Sequence, residues 1–337
     1  MTKTSDIDFI IPWVDGSDKE WIKSFNTYSP EHMRLTDSRI ERYRDWGLLK
    51  YWFRGVEIFA PWVRKIHFVT CGQKPEWLNI DAPKLHWVKH EDYIPKKYLP
   101  VFNVNPLELM MHKIPDLSDK FVYFNDDLFI INHISPERFF RDGLPCDMAV
   151  CNQISPTRVG VMSHIMVNNM SIINEHFDKH NAIKSNRGKW FNHKYGLKSL
   201  RTLLLYPWPE FSNLYEHHLP NAFTKQLFEE IWSLYGDLLE ETSMTRFRSI
   251  GNYSQWLMRD WRLVKGEFYP INVTKDSLSL MLGEDDLDFI TNLIAKQKKR
   301  IIAVNDGTIM PDQYDDIRTK LITAFETILP NKSSFEL

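Results

Sequence analysis

The chain has 337 residues, of which 43% are hydrophobic and 26% are charged, the composition of a soluble globular protein with a sizeable core. A net charge of −2 gives no general attraction to nucleic acid, so we expect no nucleic-acid partner. No apolar run approaches the ~20 residues that a membrane-spanning helix needs.

The first predicted element is a buried strand from Ile7 to Val14, closed by Asp15 and Gly16. Its DGSD sequence is typical of a turn, and Asp18 or Ser17 is a suitable cap for a helix that begins with KEWIKSF. Asp15 therefore stands at the tip of a core strand, where it is either a turn residue or a ligand.

An arginine-bearing helix is predicted from Arg39 to Phe59, because aromatic and aliphatic residues recur there at spacings of three and four. Arg39, Arg42, Arg44 and Arg54 lie along it. Such charges form either a solvated, salt-bridged face or a contact with a diphosphate, whose geometry guanidinium groups match.

Two further strands are predicted at 65–70 and 84–88, and a helix is predicted near Asn105 with Pro106 at its first position. The alternation of strands and helices over residues 7–150 predicts an α/β fold with a mostly parallel sheet flanked by helices.

The most informative stretch is KFVYFNDD, in which a buried strand over 121–124 ends in Asn125, Asp126 and Asp127. Open α/β sheets bind their ligands at the carboxyl ends of the strands. Paired carboxylates there suit Mg²⁺ or Mn²⁺, which is commonly shared with substrate phosphates. The alternative is a plain turn, for which Asn-Asp-Asp is equally suitable.

The middle of the chain is harder to interpret. The apolar residues 159–168 indicate a strand, whereas the polar residues 174–201 indicate an irregular, acceptor-facing or mobile segment. A helix is predicted over 222–235 with Asn221 as its N-cap, so His217 or His218 would lie at a helix N-terminus and remain neutral. A neutral imidazole there is either a proton acceptor or a surface residue.

The last third predicts helices over 252–263, 284–300 and 314–329, and a strand over 301–304 followed by Asn305 and Asp306. Arg246 and Arg248 alternate around Phe247, so one of them can face a cleft and the other water. The polar residues after 329 are expected to fray.

Several classes of protein are excluded by missing motifs. The chain contains no G-x-G-x-x-G, no P-loop, no H-E-x-x-H and no G-x-S-x-G. Its three cysteines lack the spacing of metal ligands, and its first residues lack the pattern of a signal peptide, so we expect reduced thiols in a cytoplasmic enzyme.

Four stretches carry a family resemblance: IDFIIPWVDGSDKEW, the region from RYRDWGLL through KFVYFNDDLFI, HHLPNAF with RFRSIGNYSQWL, and IIAVNDG. In content and order they resemble the four signature regions of the Stealth family of sugar-phosphate transferases. This family includes bacterial capsular and exopolysaccharide phosphotransferases and the catalytic core of the animal GlcNAc-1-phosphotransferase. The chain lacks the large inserted modules of the animal enzyme and looks like a bacterial polysaccharide enzyme.

The resemblance implies an activity and assigns residues to it. The activity is transfer of hexose-1-phosphate from a UDP-sugar to a hydroxyl of a glycan acceptor, which forms a phosphodiester and releases UMP in cell-surface polysaccharide synthesis. The implied catalytic residues are Asp127, His218, Arg248 and Asp306. Those that bind substrate are Trp13, Val14, Asp15, Gly16, Arg44 and Asn125, and those that hold Mg²⁺ or Mn²⁺ are Asp126, Asp127 and Asp306. Because His217 precedes His218, the choice between these two histidines stays open.

The implied fold is nucleotide-sugar-transferase-like (GT-A or Rossmann-like), with a helical second half that contributes to the same active site. We expect one catalytic domain over 1–337. Its parts are a nucleotide-sugar-binding part (7–150), an acceptor-facing part (151–280) and a closing helix–strand–helix part (281–330).

Two other functions compete with phosphoryl transfer. A metal-dependent glycosyltransferase would use the same donor but attack the anomeric carbon and release UDP. A non-catalytic sugar- or nucleotide-binding module would bind the donor without turnover. The sequence identifies neither hexose nor acceptor. A lipid-linked acceptor would bring the protein to the inner face of the membrane as a peripheral enzyme.

Overall fold

The computed structural model describes residues 6–29, 46–158 and 160–337. The predictions for Arg39, Arg42 and Arg44 lie outside these residues. The strands are β1 (Ile7–Pro12), β2 (Ile66–Thr70), β3 (Leu85–Lys89), β4 (Lys120–Tyr123), β5 (Leu128–Ile130), β6 (Phe140–Arg141), β7 (Leu144–Asp147), β8 (Cys151–Asn152), β9 (Asn213–Leu214), β10 (Asn221–Thr224), β11 (Tyr269–Pro270), β12 (Ser277–Met281) and β13 (Ile301–Asn305).

The α-helices of the described residues connect and cover these strands. They are α1 (Lys19–Tyr28), α2 (Leu49–Phe59), α3 (His90–Tyr93), α4 (Val104–Leu109), α5 (Val161–His176), α6 (Lys179–Ser185), α7 (Arg187–Trp190), α8 (Ser199–Leu205), α9 (Lys225–Ser243), α10 (Gln255–Lys265), α11 (Leu287–Ala295) and α12 (Tyr314–Ile328). None of the described helices is both long enough and apolar enough to cross a bilayer. All three cysteines are free thiols.

A five-stranded sheet in the order β10-β4-β1-β2-β3 forms the centre of the molecule. Its four strands from β4 to β3 are parallel, and β10 is antiparallel at one edge. The predicted α/β fold with a mostly parallel sheet is therefore confirmed. Alternate side chains enter two core layers, since Phe9 and Ile11 pack on one face of β1 and Ile10 packs on the other.

A second sheet, in the order β12-β13-β5, adjoins the carboxyl end of β4. Strand β13 runs antiparallel to β5, with Ala303 opposite Leu128, and the Val304 N–H donates to the Asp127 carbonyl at 2.9 Å. The end of β13 therefore lies beside the loop between β4 and β5. This pairing brings Asn305 and Asp306 next to the Asn125–Asp127 loop.

Two predictions for the middle of the chain are wrong. The apolar run 159–168, predicted as a strand, lies largely in helix α5, where Ile165, Met166, Met170 and Ile173 are buried at helical spacing. The segment 174–201, predicted as irregular, continues α5 into the short helices α6, α7 and α8. The buried face of each of these helices is too short to give a clear periodicity.

Helix boundaries are corrected where tertiary pairing competes with helix formation. The helix predicted from residue 222 begins at Lys225, because Ala222 and Phe223 pair with Val122 and Phe121 as strand β10. The helix predicted over 284–300 is limited to α11. In the described part of the helix predicted over 39–59, helical structure begins at Leu49.

The C-terminal residues are anchored, so the prediction that they fray is wrong. The Glu336 carboxylate accepts from Arg54 Nε and Nη2 at 2.7 Å each, and the Phe335 carbonyl accepts from Asn79 N–H at 2.9 Å. Arg54 therefore holds the C-terminus in place through a carboxylate pair and is not a diphosphate ligand.

Candidate active site

A cavity of about 540 Å³ lies at the carboxyl edge of the central sheet. Parallel strands end at the same edge, so the residues that follow β1 and β4 meet there. The predicted site residues that line the cavity are Trp13, Val14, Asn125, Asp126, Asp127, His218, Arg248 and Asp306. Eight predicted residues from five separate segments therefore share one cavity.

An Asp127–His218 pair lies at the wall of this cavity. His218 Nε2 is 2.9 Å from Asp127 Oδ2, and the two side chains are 40% and 24% exposed. His218 has a φ of 40°, a left-handed conformation that non-glycine residues rarely adopt and that often marks functional loops. The surrounding loop thus holds the imidazole against the carboxylate.

The electrostatic surroundings of His218 differ from the prediction. Burial lowers the pKa of this imidazole, but the hydrogen bond to Asp127 and the negative charges of Asp127 and Asp126 outweigh it, so the pKa is raised above 6.5. The predicted position at a helix N-terminus is wrong, because strand β10 separates His218 from the N-terminus of α9 and carboxylates face it instead.

The adjacent His217 lies in a different environment. It is buried, its Nε2 is 3.3 Å from Asp147 Oδ1, and burial together with the charge of Arg259 lowers its pKa to about 4. Asp147 also accepts from Arg259 Nε at 2.9 Å and from Arg262 Nη2 at 2.6 Å. His217 thus anchors the loop in the core, and His218 is the histidine that faces the cavity.

Asp126, Asp127 and Asp306 are the carboxylates predicted to hold a divalent ion. Asp127 Oδ1 is buried and has no hydrogen-bond partner among the described residues, so it is available as a ligand. No group of three or more His, Cys, Asp or Glu within the described ranges is arranged to hold an ion. Mg²⁺ is commonly held by one or two carboxylates and completed by substrate phosphates, which this loop fits. The assignment of Asp126, Asp127 and Asp306 to a metal stays a prediction.

Arg248 and Arg246 have separate roles, as the alternation predicts. Arg248 lines the cavity, where its Nη1 is 3.5 Å from Met162 Sδ. Arg246 lies over the ring of Tyr28, with its guanidinium carbon 4.7 Å from the ring centre. Only the first of the two is positioned to contact a ligand in the cavity.

Glu108 is a cavity residue that the sequence analysis missed. It is buried on α4, and its Oε2 accepts from Gln255 N–H at 3.4 Å. Burial raises its pKa to about 7, although Tyr123, the charge of Arg248 and Gln255 N–H act in the opposite direction. Its one signal in the sequence is a lone carboxylate in the otherwise apolar helix candidate just before the acidic strand.

Asp15 and Gly16 directly follow the cavity residues Trp13 and Val14 in sequence, but they are not among the described residues that line the cavity. The Asp15 carboxylate accepts from Ser17 N–H at 2.8 Å and from Ser17 Oγ at 2.6 Å, which closes the turn after β1. The role of Asp15 and Gly16 in nucleotide binding stays a prediction. The same holds for Arg44, which lies outside the described residues.

Aromatic and amide side chains complete the cavity. They come from α1, from the loops before α4 and α10, and from β10 and α10 themselves, and include Trp21, Phe102, Asn103, Asn221, Phe247, Gln255 and Trp256. Such a lining offers flat apolar surfaces for a sugar or a base together with hydrogen-bonding groups for hydroxyls.

Comparison with known proteins identifies relatives along the whole chain. Residues 5–33 match the family model of Stealth protein conserved region 1, and residues 42–146 match that of conserved region 2. The capsular polysaccharide phosphotransferase WcwK of Streptococcus pneumoniae is 40% identical over 100% of this chain and 99% of its own.

Relatives in other bacteria and one solved structure extend the comparison. The exopolysaccharide phosphotransferase cps2G of Lactiplantibacillus plantarum is 37% identical, covering 98% of this chain and 96% of its own. A crystal structure of the glycosyltransferase GlyE of Streptococcus pneumoniae aligns over 93% of this chain and 83% of its own, with 10% identity and a TM-score of 0.26. A score this low supports no conclusion. The full-length relatives, together with the two matching conserved regions, show that this chain belongs to the Stealth family.

Proposed function

We propose that this protein transfers hexose-1-phosphate from a UDP-sugar to a hydroxyl of a glycan acceptor, forming a phosphodiester and releasing UMP. The observation that carries the proposal is the Asp127–His218 pair in a cavity that Arg248 and Asp306 also line. The names of its relatives, which are polysaccharide phosphotransferases, support it.

The pair can act on the acceptor hydroxyl. With His218 Nε2–H donated to Asp127, the lone pair of the neutral imidazole lies on Nδ1, which accepts the hydroxyl proton. The acceptor oxygen then attacks the β-phosphorus in line, and the bond from this phosphorus to the oxygen bridging to the α-phosphate breaks, so that UMP leaves. Asp127 stabilises the imidazolium that forms.

The cavity also carries groups that offset the charge of a diphosphate. Arg248, which lines the cavity, would supply a fixed positive charge beside the transferring phosphoryl group. Mg²⁺ or Mn²⁺, held by Asp126 and Asp127 with Asp306, would neutralise phosphate charge as a Lewis acid when bound. Asp306 would orient the acceptor or complete the metal site.

The two substrates would occupy different parts of the cavity. Trp13 and Val14, at the end of β1, would contact the nucleotide, and the aromatic side chains near α10 would contact sugar rings. We propose that the acceptor is a lipid-linked glycan and that the enzyme works in the cytoplasm at the inner face of the membrane.

Identification of the released nucleotide tests the proposal. Purified protein is incubated with Mg²⁺, a panel of UDP-hexoses and candidate acceptors, and the nucleotides are separated by chromatography. We expect acceptor-dependent UMP that disappears on chelation of the metal. Release of UDP would instead make the protein a glycosyltransferase, and donor binding without turnover across the acceptor panel would favour a binding module.

The role of His218 is tested in the same assay. His218→Gln removes the proton acceptor and should lower turnover by roughly 10²–10⁴-fold. His193→Gln changes an exposed histidine outside the cavity lining and should leave turnover unchanged. Equal turnover of the two variants would contradict the proposed mechanism.

A further inference from the structure

A strip of large apolar side chains is exposed on and around helix α8. The exposed fractions are 84% for Leu197, 51% for Leu200, 58% for Leu203, 71% for Leu204 and 57% for Trp208. Leu200, Leu203 and Leu204 share one face of α8, since they are three and four residues apart. Single exposed leucines are ordinary, but a contiguous group marks an interaction surface.

The opposite face of α8 is fixed to the body of the protein. Thr202 is buried, and its Oγ1 accepts from Cys151 N–H at 3.0 Å. This bond holds the helix against β8 with its leucines turned to solvent. The exposure is therefore set by packing of the helix and not by a loose end of the chain.

Basic residues are frequent along the chain around this strip. Residues 179–209 contain seven Lys or Arg and no Asp or Glu. Lys194 Nζ donates to the Pro270 carbonyl at 3.1 Å, Lys198 Nζ to Thr274 Oγ1 at 2.9 Å and Arg201 Nη1 to Asn152 Oδ1 at 3.0 Å. These acceptors are neutral, so the positive charges are not balanced by the contacts that orient them.

We propose that this surface, formed by the five apolar residues with Lys194, Lys198 and Arg201, docks on a bilayer that contains anionic lipid. Exposed leucines and a tryptophan on and beside a short helix would enter the boundary between headgroups and acyl chains, and neighbouring cations would contact anionic headgroups. Both parts of this chemistry are present within residues 194–208.

The docking surface is connected to the cavity by short elements. Helix α8 packs on β8, β8 pairs with β9, and β9 ends four residues before His218. Docking would thus hold the His218 loop near the lipid surface, where a lipid-linked acceptor would be presented. This connection with catalysis rests on the proposed function, whereas lipid binding itself does not.

Vesicle flotation tests the proposal directly. The full chain is mixed with vesicles of phosphatidylcholine alone or with about one third phosphatidylglycerol, and the floated fraction is measured. We expect binding to the anionic vesicles that is at least about tenfold tighter than binding to the neutral ones and is weakened by salt.

Two variants distinguish specific lipid binding by this surface from non-specific hydrophobic adsorption. Leu200→Glu with Leu204→Glu should weaken binding to anionic vesicles by more than about tenfold, because two apolar side chains are lost and two negative charges are added. Leu234→Glu replaces a leucine with a similar exposure of 51% on α9 and should bind like the parent. Nucleotide release with a water-soluble acceptor should be unchanged in all three proteins, which keeps this test distinct from that of the activity.

Three outcomes would overturn the proposal. They are failure of the parent protein to float with anionic vesicles, equal flotation of the Leu200/Leu204 variant and the parent, and concentration-dependent self-association through α8 without vesicle binding. Circular dichroism and thermal unfolding of each variant identify any loss of folding. If the double variant unfolds, Lys194→Gln with Lys198→Gln supplies the second test and should reduce anionic selectivity.

Discussion

Two adjacent histidines at residues 217 and 218 have opposite electrostatic settings. His217 is enclosed beside Asp147 and Arg259, and its pKa is lowered to about 4. His218 faces Asp127, and its pKa is raised by carboxylates despite its partial burial. Packing alone places one histidine in the core and the other at the wall of the cavity.

Substitution of Arg248 tests whether a positive charge in the cavity stabilises the phosphoryl group during its transfer. Arg248→Ala should lower turnover by roughly 10²–10³-fold, because a preorganised positive charge beside the phosphoryl group is lost. Arg246 lies on the same loop, but its guanidinium stacks on Tyr28 and does not line the cavity. Arg246→Ala should therefore retain turnover. Steady-state kinetics of both folded variants decide the matter, and equal turnover would refute the role of Arg248.

Glu108 gives a prediction about pH. Its pKa is about 7 in the folded protein and 4.5 in an unfolded chain, so the native state binds this proton more tightly. Ionisation of Glu108 therefore costs stability as the pH rises from about 4.5 to about 7, and above that pH the full cost is about 3 kcal/mol. Glu108→Gln cannot ionise and avoids this cost.

Chemical denaturation at several pH values measures the effect of Glu108. The free energy of unfolding of Glu108→Gln, relative to that of the parent, should rise by roughly 3 kcal/mol between about pH 4.5 and pH 8. The comparison cancels the titration of other groups. A difference between the two proteins that does not change with pH would show that Glu108 ionises normally.

At the scale of elements, the site depends on the meeting of two sheets. Strand β13 pairs with β5, so the Asn-Asp after one strand reaches the Asn-Asp-Asp before the other. The sequence predicts each strand and its polar end, because short apolar runs ending in turn residues are local signals. It does not predict the antiparallel pairing, which involves residues more than 170 positions apart.

The errors in predicted elements have the same origin. Residues 221–224 have a helical pattern with the following segment, yet they complete the edge of the sheet beside β4. Residues 161–168 contain apolar residues that suit a strand, but their partners on α10 select a helix. Glu108 was missed because its relation to Arg248 and Tyr123 arises only on folding. Local sequence patterns predict the polar residues at the strand ends, whereas long-range contacts determine which elements surround them.

Gly55 allows the close approach of α2 to β5. A Cβ at this position would lie 2.4 Å from the backbone oxygen of Ile130. Gly55→Ala should therefore destabilise the protein by about 1–3 kcal/mol, because helix and strand must separate. Gly236→Ala, in α9, meets no atom closer than 3.9 Å and should be neutral or stabilise by about 0.5–1 kcal/mol. Urea denaturation compares them, and similar effects would contradict the close packing of α2.

At the scale of the whole molecule, the C-terminal residues close the structure over α2. The Arg54 and Glu336 side chains are 7% and 5% exposed and form two hydrogen bonds of 2.7 Å. Glu336→Ala leaves the Arg54 cation buried without its carboxylate and should cost about 3 kcal/mol of unfolding free energy. Glu326→Ala, which removes a carboxylate on α12, serves as a control with a smaller expected loss. Thermal and urea unfolding test this, and an unchanged stability of Glu336→Ala would show that the tail is dispensable.

The most direct test of the account follows the β-phosphorus of the donor. A UDP-hexose that carries a radioactive phosphorus label in its β-phosphate is given to the enzyme with Mg²⁺ and an acceptor that supports turnover, and the label is located by autoradiography after separation. We predict that the label enters the glycan as a phosphodiester while unlabelled UMP is released. Label that leaves with UDP would contradict phosphoryl transfer and establish attack at the anomeric carbon.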